Sequence, residues 1–345
     1  KKWERLPNLK TPASQQRSTR NKPGPDECQA VLKVLKAHNV RYLFGIGGND
    51  TSETLDIIND AAKDSGYELR AFHAAKTVDC DLMENDHTPG YGSAARYVAQ
   101  AFRGVDLDNQ CFGGVYLGVC MGRHAGFLTA ASALGRTNSQ SGPHLVYVPE
   151  IAFDLDKFCK DAWAVYQREK RCVIAVSEGI EDKNHKPILQ VLTEEQGGGK
   201  LEADSHGNVQ LSGTGALADA LIEKLKKYFE AQGEKKLRAR GDTFGYLQRS
   251  FPDQSEVDRK ESLGLGKLAA KQALGKNQDG SCAIVRVPGK TYKSKFKLVP
   301  LKNVAGKTRH LPDAHIAKQG NNVTEAFIVW GKPLIGKLSA FGTLD

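Results

Sequence analysis

Long apolar runs are missing from this chain of 345 residues. None approaches the roughly 18 residues that a membrane-crossing helix needs, so a helical membrane protein is excluded and no membrane partner is expected. No charged-then-apolar leader of the secretory type reads at its start. The seven cysteines (28, 80, 111, 120, 159, 172 and 282) are odd in number and scattered, without a C-x-x-C pair. That pattern points to a reduced, cytoplasmic protein rather than a disulfide framework. No fixed-period repeat is visible, which argues against a solenoid. The basic residues form no single dense stripe and no aromatic-interleaved basic motif appears, so nucleic acid is not an expected partner.

What is present is enough for a large core. Apolar residues make up 40% of the chain, and the length suits two domains or one large α/β domain. The net charge of +9 fits a site for polyanions such as sugar phosphates, or serves solubility alone.

The first 25 residues are polar, basic and turn-rich and read as loop. After them the pattern alternates. "ECQAVLKVLKAHN" has helical spacing, "VRYLFGI" reads as a short buried strand, and "TSETLDIINDAAKDSG" as a helix facing inward with Leu55, Ile58 and Ala62, stopped by Gly66. Later come the strand "GVYLGV", a Gly-interrupted helix from Arg123, the strand "HLVYV", the helix "FDLDKFCKDAWAVYQREK" and the strand "CVIAVSEG". "LADALIEKLKKYFEAQG" is an amphipathic helix ending at Gly233. Strands alternating with helices imply mainly parallel sheets with helices on both faces. Ligands in such folds sit at the carboxyl ends of strands, so the loops there carry the candidate chemistry.

The first such loop is Gly47-Gly48-Asn49-Asp50-Thr51. Glycines let backbone N–H groups approach phosphate oxygens, and a helix N-terminus adds a favourable dipole. The structural alternative is a capping box, with Asp50 as cap and Glu53 three residues on. The second loop, "AAKTVDCDL", holds Lys76, Thr77, Asp79 and Asp81. An Asp can take a proton from an attacking hydroxyl, and a Lys can neutralise a phosphoryl group in transfer. A solvated charged turn would show the same spacing. Downstream, "HTPGYGSAAR" opens another helix, and "CMGRHAGF" sets Met121, Gly122 and Arg123 at a strand end, where an Arg can bind phosphate bidentately. "VPE" puts Glu150 where it can accept from sugar hydroxyls. "RARGDTFGYLQRS" offers Arg240, Tyr246 and Arg249, the last two on one face of a helical turn.

In order and spacing, "GGNDT", "KTVDCD", "TPGYGSAAR", "MGRHAGF", "VPE", "SEG" and "GYLQR" resemble the 6-phosphofructokinase family, from about Val40 to "PLIGKL". Asp50 and Lys76 are similar to the pyrophosphate-dependent branch, where an Asp after the glycines obstructs ATP and a Lys precedes "TVD". The resemblance implies an α/β fold of two similar three-layer α/β/α domains with mainly parallel sheets. A larger donor-binding domain would comprise residues 1–92 plus 249–310, and a smaller fructose 6-phosphate domain 93–248 plus 311–345, with the site in the cleft between them.

The roles it implies follow motif by motif. Asp79 is the base acting on the 1-hydroxyl of fructose 6-phosphate, Lys76 stabilises the phosphoryl group, and Asp50 selects pyrophosphate over ATP. Thr77, Val78 and Asp81 position the reactants. Gly47, Gly48 and Thr51 face the donor phosphates. Met121, Gly122, Arg123 and Glu150 hold the sugar, and Tyr246, Arg249 and Arg240 its 6-phosphate. Mg2+ is the implied cofactor, and a homodimer or homotetramer the implied assembly.

The departures are specific. Asn49 stands where the family has an Asp as magnesium ligand, and an amide oxygen supplies no negative charge. Cys80 replaces an Asn, and Gly114 stands about where many relatives have an Arg that reaches a neighbouring subunit's sugar phosphate. The family's opening strand and "GGDxPGxN" loop have no counterpart, so the chain is expected to be incomplete at its N-terminus, leaving apolar faces uncovered. Two functions fit: pyrophosphate-dependent phosphorylation of fructose 6-phosphate, or a non-catalytic paralogue that binds the sugar phosphate as a regulatory subunit. ATP dependence fits less well with Asp50 and Lys76.

Overall fold

A computed structural model of the chain describes residues 23–195, 215–275 and 279–340. The opening stretch read as loop lies, up to residue 22, outside the described residues. The chain runs through α1 (Pro25–Ala37), β1 (Tyr42–Gly47), α2 (Asn49–Asp64), β2 (Arg70–Ala75) and α3 (Tyr91–Phe112). It continues with β3 (Gly114–Cys120), α4 (Phe127–Ala130), β4 (Leu145–Tyr147), α5 (Leu155–Glu169), β5 (Arg171–Ser177) and α6 (Ile188–Glu195). Then come α7 (Ala216–Ala231), β6 (Ala239–Thr243), α8 (Leu247–Ser250), α9 (Glu256–Leu274), β7 (Gly280–Arg286), β8 (Ser294–Val299) and α10 (Glu325–Ile335). Two compact units emerge, the first from residues up to Ser93 with Gln254–Arg309, the second from Ala94–Asp253 with residues from His310 on.

The first unit is built on a sheet of order β1-β2-β7-β8. β1 and β2 run parallel, with Gly47 opposite Ala75 at their carboxyl ends, and only β7 and β8 pair antiparallel. α2 buries Leu55, Ile58 and Ala62, the face that the 3.6-residue period selects; Ile58 and Ala62 cluster with Cys28 and Leu32 of α1, and Leu55 with Ala71 and Leu301. A second cluster joins Leu265 and Ala269 of α9 to Phe72, Cys282 and Ile284 of the strands. One expectation changes here: β1 is not a buried strand. It lies at the sheet's edge, and Tyr42, Phe44 and Ile46 are 43%, 46% and 61% exposed on one face. The period of two sends these side chains to a side that no described layer covers.

The second unit has an all-parallel sheet of order β4-β5-β3-β6. Strands buried on both faces read as near-continuous apolar runs, which is why "GVYLGV" and "CVIAV" stand out in the sequence. On one face, Phe158 and Ala162 of α5, Leu189 of α6 and Leu221, Leu225 and Phe229 of α7 pack against Leu117, Ile174 and Val176. On the other, α3 approaches so closely that a Cβ at Gly118 would lie 2.7 Å from the Phe102 ring. The helix expected from Arg123 is shorter than its pattern. It begins at Phe127 and tightens into a 3-10 turn over Ala131–Gly135. Gly126 gives its backbone N–H to the Glu150 carboxylate, so the helix cannot extend back through it.

Phe229 is fully buried, with the Trp163 and Tyr166 rings edge-on at 5.0 and 5.2 Å. Its truncation in Phe229→Ala is expected to cost about 3–5 kcal/mol. Urea unfolding of the variant checks this.

Candidate active site

Space is short at the end of β1, where the chain turns into α2. A Cβ on Gly47 would collide with Thr51 Oγ1, and Gly48 serves as the helix N-cap without a side-chain cap. This corrects the capping-box expectation. The helix already includes Asn49, so Asp50 lies inside its first turn, where a carboxylate still favours the positive end of the dipole. The second loop is bolted to the first: Lys76 N donates to Gly47 O at 2.8 Å. His73 reinforces the junction from beneath. It is wholly buried, its Nε2 2.9 Å from the same carbonyl and its Nδ1 2.8 Å from Ser281 Oγ of β7. Burial pulls its pKa down to about 4, so it is a neutral strut, with Nε2 donating to the carbonyl.

The loop after β2 turns tightly. Thr77 Oγ1 accepts from Asp79 N at 3.2 Å, and Cys80 takes a φ of 62°, a left-handed conformation uncommon for a side chain of this kind. Arg309 secures that turn, its guanidinium donating to Cys80 O at 3.1 Å while its backbone N–H donates to Asp81 O at 2.8 Å. Asp81 Oδ2 accepts from Asn49 Nδ2 at 2.8 Å, so the amide side chain binds the acid of the second loop directly. Burial, and then repulsion from Asp79, push the Asp81 pKa up to about 6, against the lowering effect of Asn49. Asn49 Oδ1 and Asp81 Oδ1 are buried acceptors without a hydrogen-bond partner. Among the described residues no group of three or more His, Cys, Asp or Glu could hold a metal ion. Asn49 Oδ1 and Asp81 Oδ1 are oxygen donors, the type that hard cations prefer.

The second unit supplies a separate group of predicted residues. Met121 N donates to Gln248 Oε1 at 3.1 Å, and Gly122 has a φ of 127° that disfavours any side chain. Ser177 Oγ donates to Gly122 O at 2.7 Å. A Cβ on Gly179 would collide with Arg123 O, so the "SEG" turn needs its glycine to pass the "MGR" turn. Glu150 Oε1 accepts from Gly126 N at 2.9 Å and Leu311 N at 2.8 Å, while Oε2 is buried without a partner. Burial raises its pKa, opposed by those backbone N–H groups. The Arg249 guanidinium lies over the Tyr246 ring at 4.2 Å. Arg240 sits elsewhere, on the edge strand β6. With Tyr116, Asn109, Arg238 and Asp242 it lines a cavity of about 310 Å³ that none of Met121, Gly122, Arg123 or Glu150 lines. Gly114 explains itself: its φ is 84°, and a Cβ would collide with Arg238 O where β3 meets β6.

Sequence reasoning missed His73, Gln248, Ser177 and Arg309. Ser177 and Gln248 lie inside the motifs "SEG" and "GYLQR", which are the signal that could have found them. His73 and Arg309 carry no local signal, because their partners lie far along the chain.

The chain belongs to the phosphofructokinase family, whose model, "Phosphofructokinase", matches residues 8–272. It is 52% identical, over 95% of its length and 78% of the relative's, to a pyrophosphate–fructose 6-phosphate 1-phosphotransferase of Rhodospirillum rubrum. An enzyme of the same name from Xanthomonas campestris is 32% identical over 89% of this chain and 71% of its own. Among solved structures, a pyrophosphate-dependent phosphofructokinase from Marinobacter aquaeolei matches with a TM-score of 0.79 and 27% identity, covering 97% of this chain and 76% of that one. The α/β architecture of both units is that of this family.

In Asn49→Asp the 2.8 Å hydrogen bond becomes a contact between two carboxylates. The metal-free variant is expected to lose about 2 kcal/mol of stability at pH 8. The added repulsion acts only while both groups are ionised, so the deficit should shrink as pH falls through the raised pKa values toward 5. Urea unfolding at the two pH values measures it.

Proposed function

We propose that this chain transfers a phosphoryl group reversibly from pyrophosphate to the 1-hydroxyl of fructose 6-phosphate, giving fructose 1,6-bisphosphate and phosphate. The observation that carries the reading is the buried, doubly braced turn bearing Thr77, Asp79 and Asp81 beside a glycine-capped helix N-terminus. The 52% identity to an enzyme of that name supports it.

In this reading Gly47, Gly48 and Thr51 face the donor phosphates, and the first turn of α2 favours their charge. Asp50 obstructs the longer phosphate chain of ATP and so selects pyrophosphate. Asp79 takes the proton of the 1-hydroxyl as its oxygen attacks the near phosphorus. The bond from that phosphorus to the bridging oxygen breaks, and the electron pair leaves with the departing phosphate. Lys76 offsets charge on the phosphoryl group in transfer, and Thr77, Val78 and Asp81 fix the approach. Met121, Gly122, Arg123 and Glu150 hold the sugar, with the unpartnered Glu150 Oε2 accepting from a hydroxyl. Tyr246 and Arg249 bind the 6-phosphate. Arg240 joins them only in a homodimer or homotetramer that completes the site.

Mg2+ fits the donor atoms present: Asn49 Oδ1 and Asp81 Oδ1 would hold it. When bound it neutralises phosphate charge. Two protein oxygens, only one from a carboxylate, imply weak retention without substrate.

The purified protein is expected to turn over fructose 6-phosphate with pyrophosphate and Mg2+, and to be much less active with ATP. Asp79→Ala should lower kcat about 10²–10⁴-fold, as loss of a general base does. Activity unchanged in that variant overturns the mechanism. Ligand-induced stabilisation without turnover would favour the sugar-phosphate-binding paralogue, which the neutral Asn49 motivates.

Glu150→Gln preserves acceptance from the two backbone N–H groups but turns the free oxygen into a donor. It is expected to raise KM for fructose 6-phosphate about tenfold, with the melting temperature little changed. Steady-state kinetics beside thermal unfolding check both parts.

A further inference from the structure

His87, in the "HTPGYGSAAR" motif, is absent from every role assigned above. It is 1% exposed and lies between two carboxylates, with Nδ1 2.8 Å from Asp86 Oδ2 and Nε2 2.7 Å from Glu261 Oε2 of α9. A neutral imidazole has one N–H and would turn a lone pair toward one of these anions. Each carboxylate is engaged on its far side as well. Tyr292, between β7 and β8, donates to Glu261 Oε1 at 2.5 Å, and Arg286 Nε lies 3.2 Å from both Asp86 oxygens. An imidazolium at His87 would, with Arg286, match Asp86 and Glu261 in charge. Ser294 adds a hydrogen bond to Glu261. Behind Asp86, burial pushes the Cys80 thiol up to about 11 and the Tyr91 hydroxyl above its ordinary value, so both are neutral near pH 7.

The residues after His87 grip the catalytic turn. Thr88 Oγ1 donates to Thr77 O at 2.6 Å, and Thr77 N donates to Pro89 O at 3.1 Å. Gly90 N and Ser93 N donate to Asp258 of α9 at 2.8 and 3.0 Å. Residues 86–90 therefore form a strap between α9 and the Thr77 backbone, one residue from Lys76 and two from Asp79.

We propose that His87 is a positioning residue: an imidazolium that bridges Asp86 and Glu261, pins this strap against Thr77, and so holds Lys76 and Asp79 in place for phosphoryl transfer. The catalytic half rests on the function proposed above; the clamp stands on its own geometry. Burial disfavours the imidazolium, but the hydrogen bonds and charge of the two carboxylates outweigh it and set its pKa above 6.5. With a folded pKa above the unfolded one, the clamp contributes fully below pH 6.5 and is lost as pH rises through the folded value.

The test combines a spectroscopic and a kinetic readout on the whole protein. In the wild type, nitrogen NMR is expected to find both His87 ring nitrogens protonated at pH 6. The alkaline fall of kcat should follow their titration. His87→Gln and the nearly isosteric Glu261→Gln should each lower kcat about tenfold at pH 7, leave KM for fructose 6-phosphate within about twofold, and flatten that alkaline limb. Amide exchange over residues 86–91 should quicken in both. A singly protonated ring at pH 6 overturns the proposal, as does unchanged kcat in Glu261→Gln, the variant that keeps its shape if His87→Gln fails to fold. If the wild type shows no turnover with pyrophosphate, the function is what fails. The ring titration and the exchange rates then uphold or overturn the clamp.

Discussion

A carboxylate kept out of water, with a neutral amide as its hydrogen-bond donor, sets the character of the first unit. Asp81 is buried beside Asp79 and within the field of Asp50, and Asn49 Nδ2 is the side-chain donor that holds it. An Asp at position 49 would offer more charge to a metal ion but no N–H to its neighbour. The amide resolves that conflict in favour of a turn that is ordered before any ligand arrives. Its cost falls on metal affinity, since magnesium draws on carboxylate charge.

That turn is held by backbone and buried polar groups rather than by apolar packing alone. The Gly47 carbonyl takes a hydrogen bond from Lys76 N and another from His73, whose other ring nitrogen meets Ser281 near the start of β7, so β1, β2 and β7 are linked through one imidazole. Arg309 grips Cys80 and Asp81 from the unit's last residue, and the strap of residues 86–90 closes on Thr77. Such fixed polar contacts suit a reaction in which positioning and charge neutralisation matter more than covalent chemistry. The second unit uses the same device with different residues. Glu150 receives two backbone N–H groups on one oxygen and leaves the other free, and Gln248 clasps the exit of β3.

Much of this was legible in the sequence where the signal is local. The unbroken apolar runs of β3 and β5 follow from burial on both faces and the inward face of α2 from the 3.6-residue period, and the candidate loops fall at strand ends as α/β topology demands. The signal failed where a distant partner decides. Asp50 and Glu53 have capping-box spacing, yet the helix starts two residues earlier, with Gly48 as its cap. The alanine-rich segment after Arg123 has helical composition, yet Glu150 takes the Gly126 N–H and delays the helix. β1 reads as buried because it is apolar throughout, but its edge position leaves alternate residues in solvent. Arg240 shares a motif with Tyr246 and Arg249, yet it lies on β6 and lines a cavity that neither of them lines.

Charge offers the last constraint. The chain carries +9, but the turn proposed to meet a pyrophosphate bears Asp79 and Asp81, with Asp50 close enough to raise the Asp81 pKa. An anionic donor facing those carboxylates is repelled unless cations accompany it. Lys76 is the protein's own contribution. The remainder must come from an ion that arrives with the donor, because two orphaned oxygens on Asn49 and Asp81 are too few to retain magnesium by themselves. A neutral side chain at position 49 lowers the repulsion that the donor meets and the affinity for the metal together. Such a site favours binding the two as one complex over binding either alone.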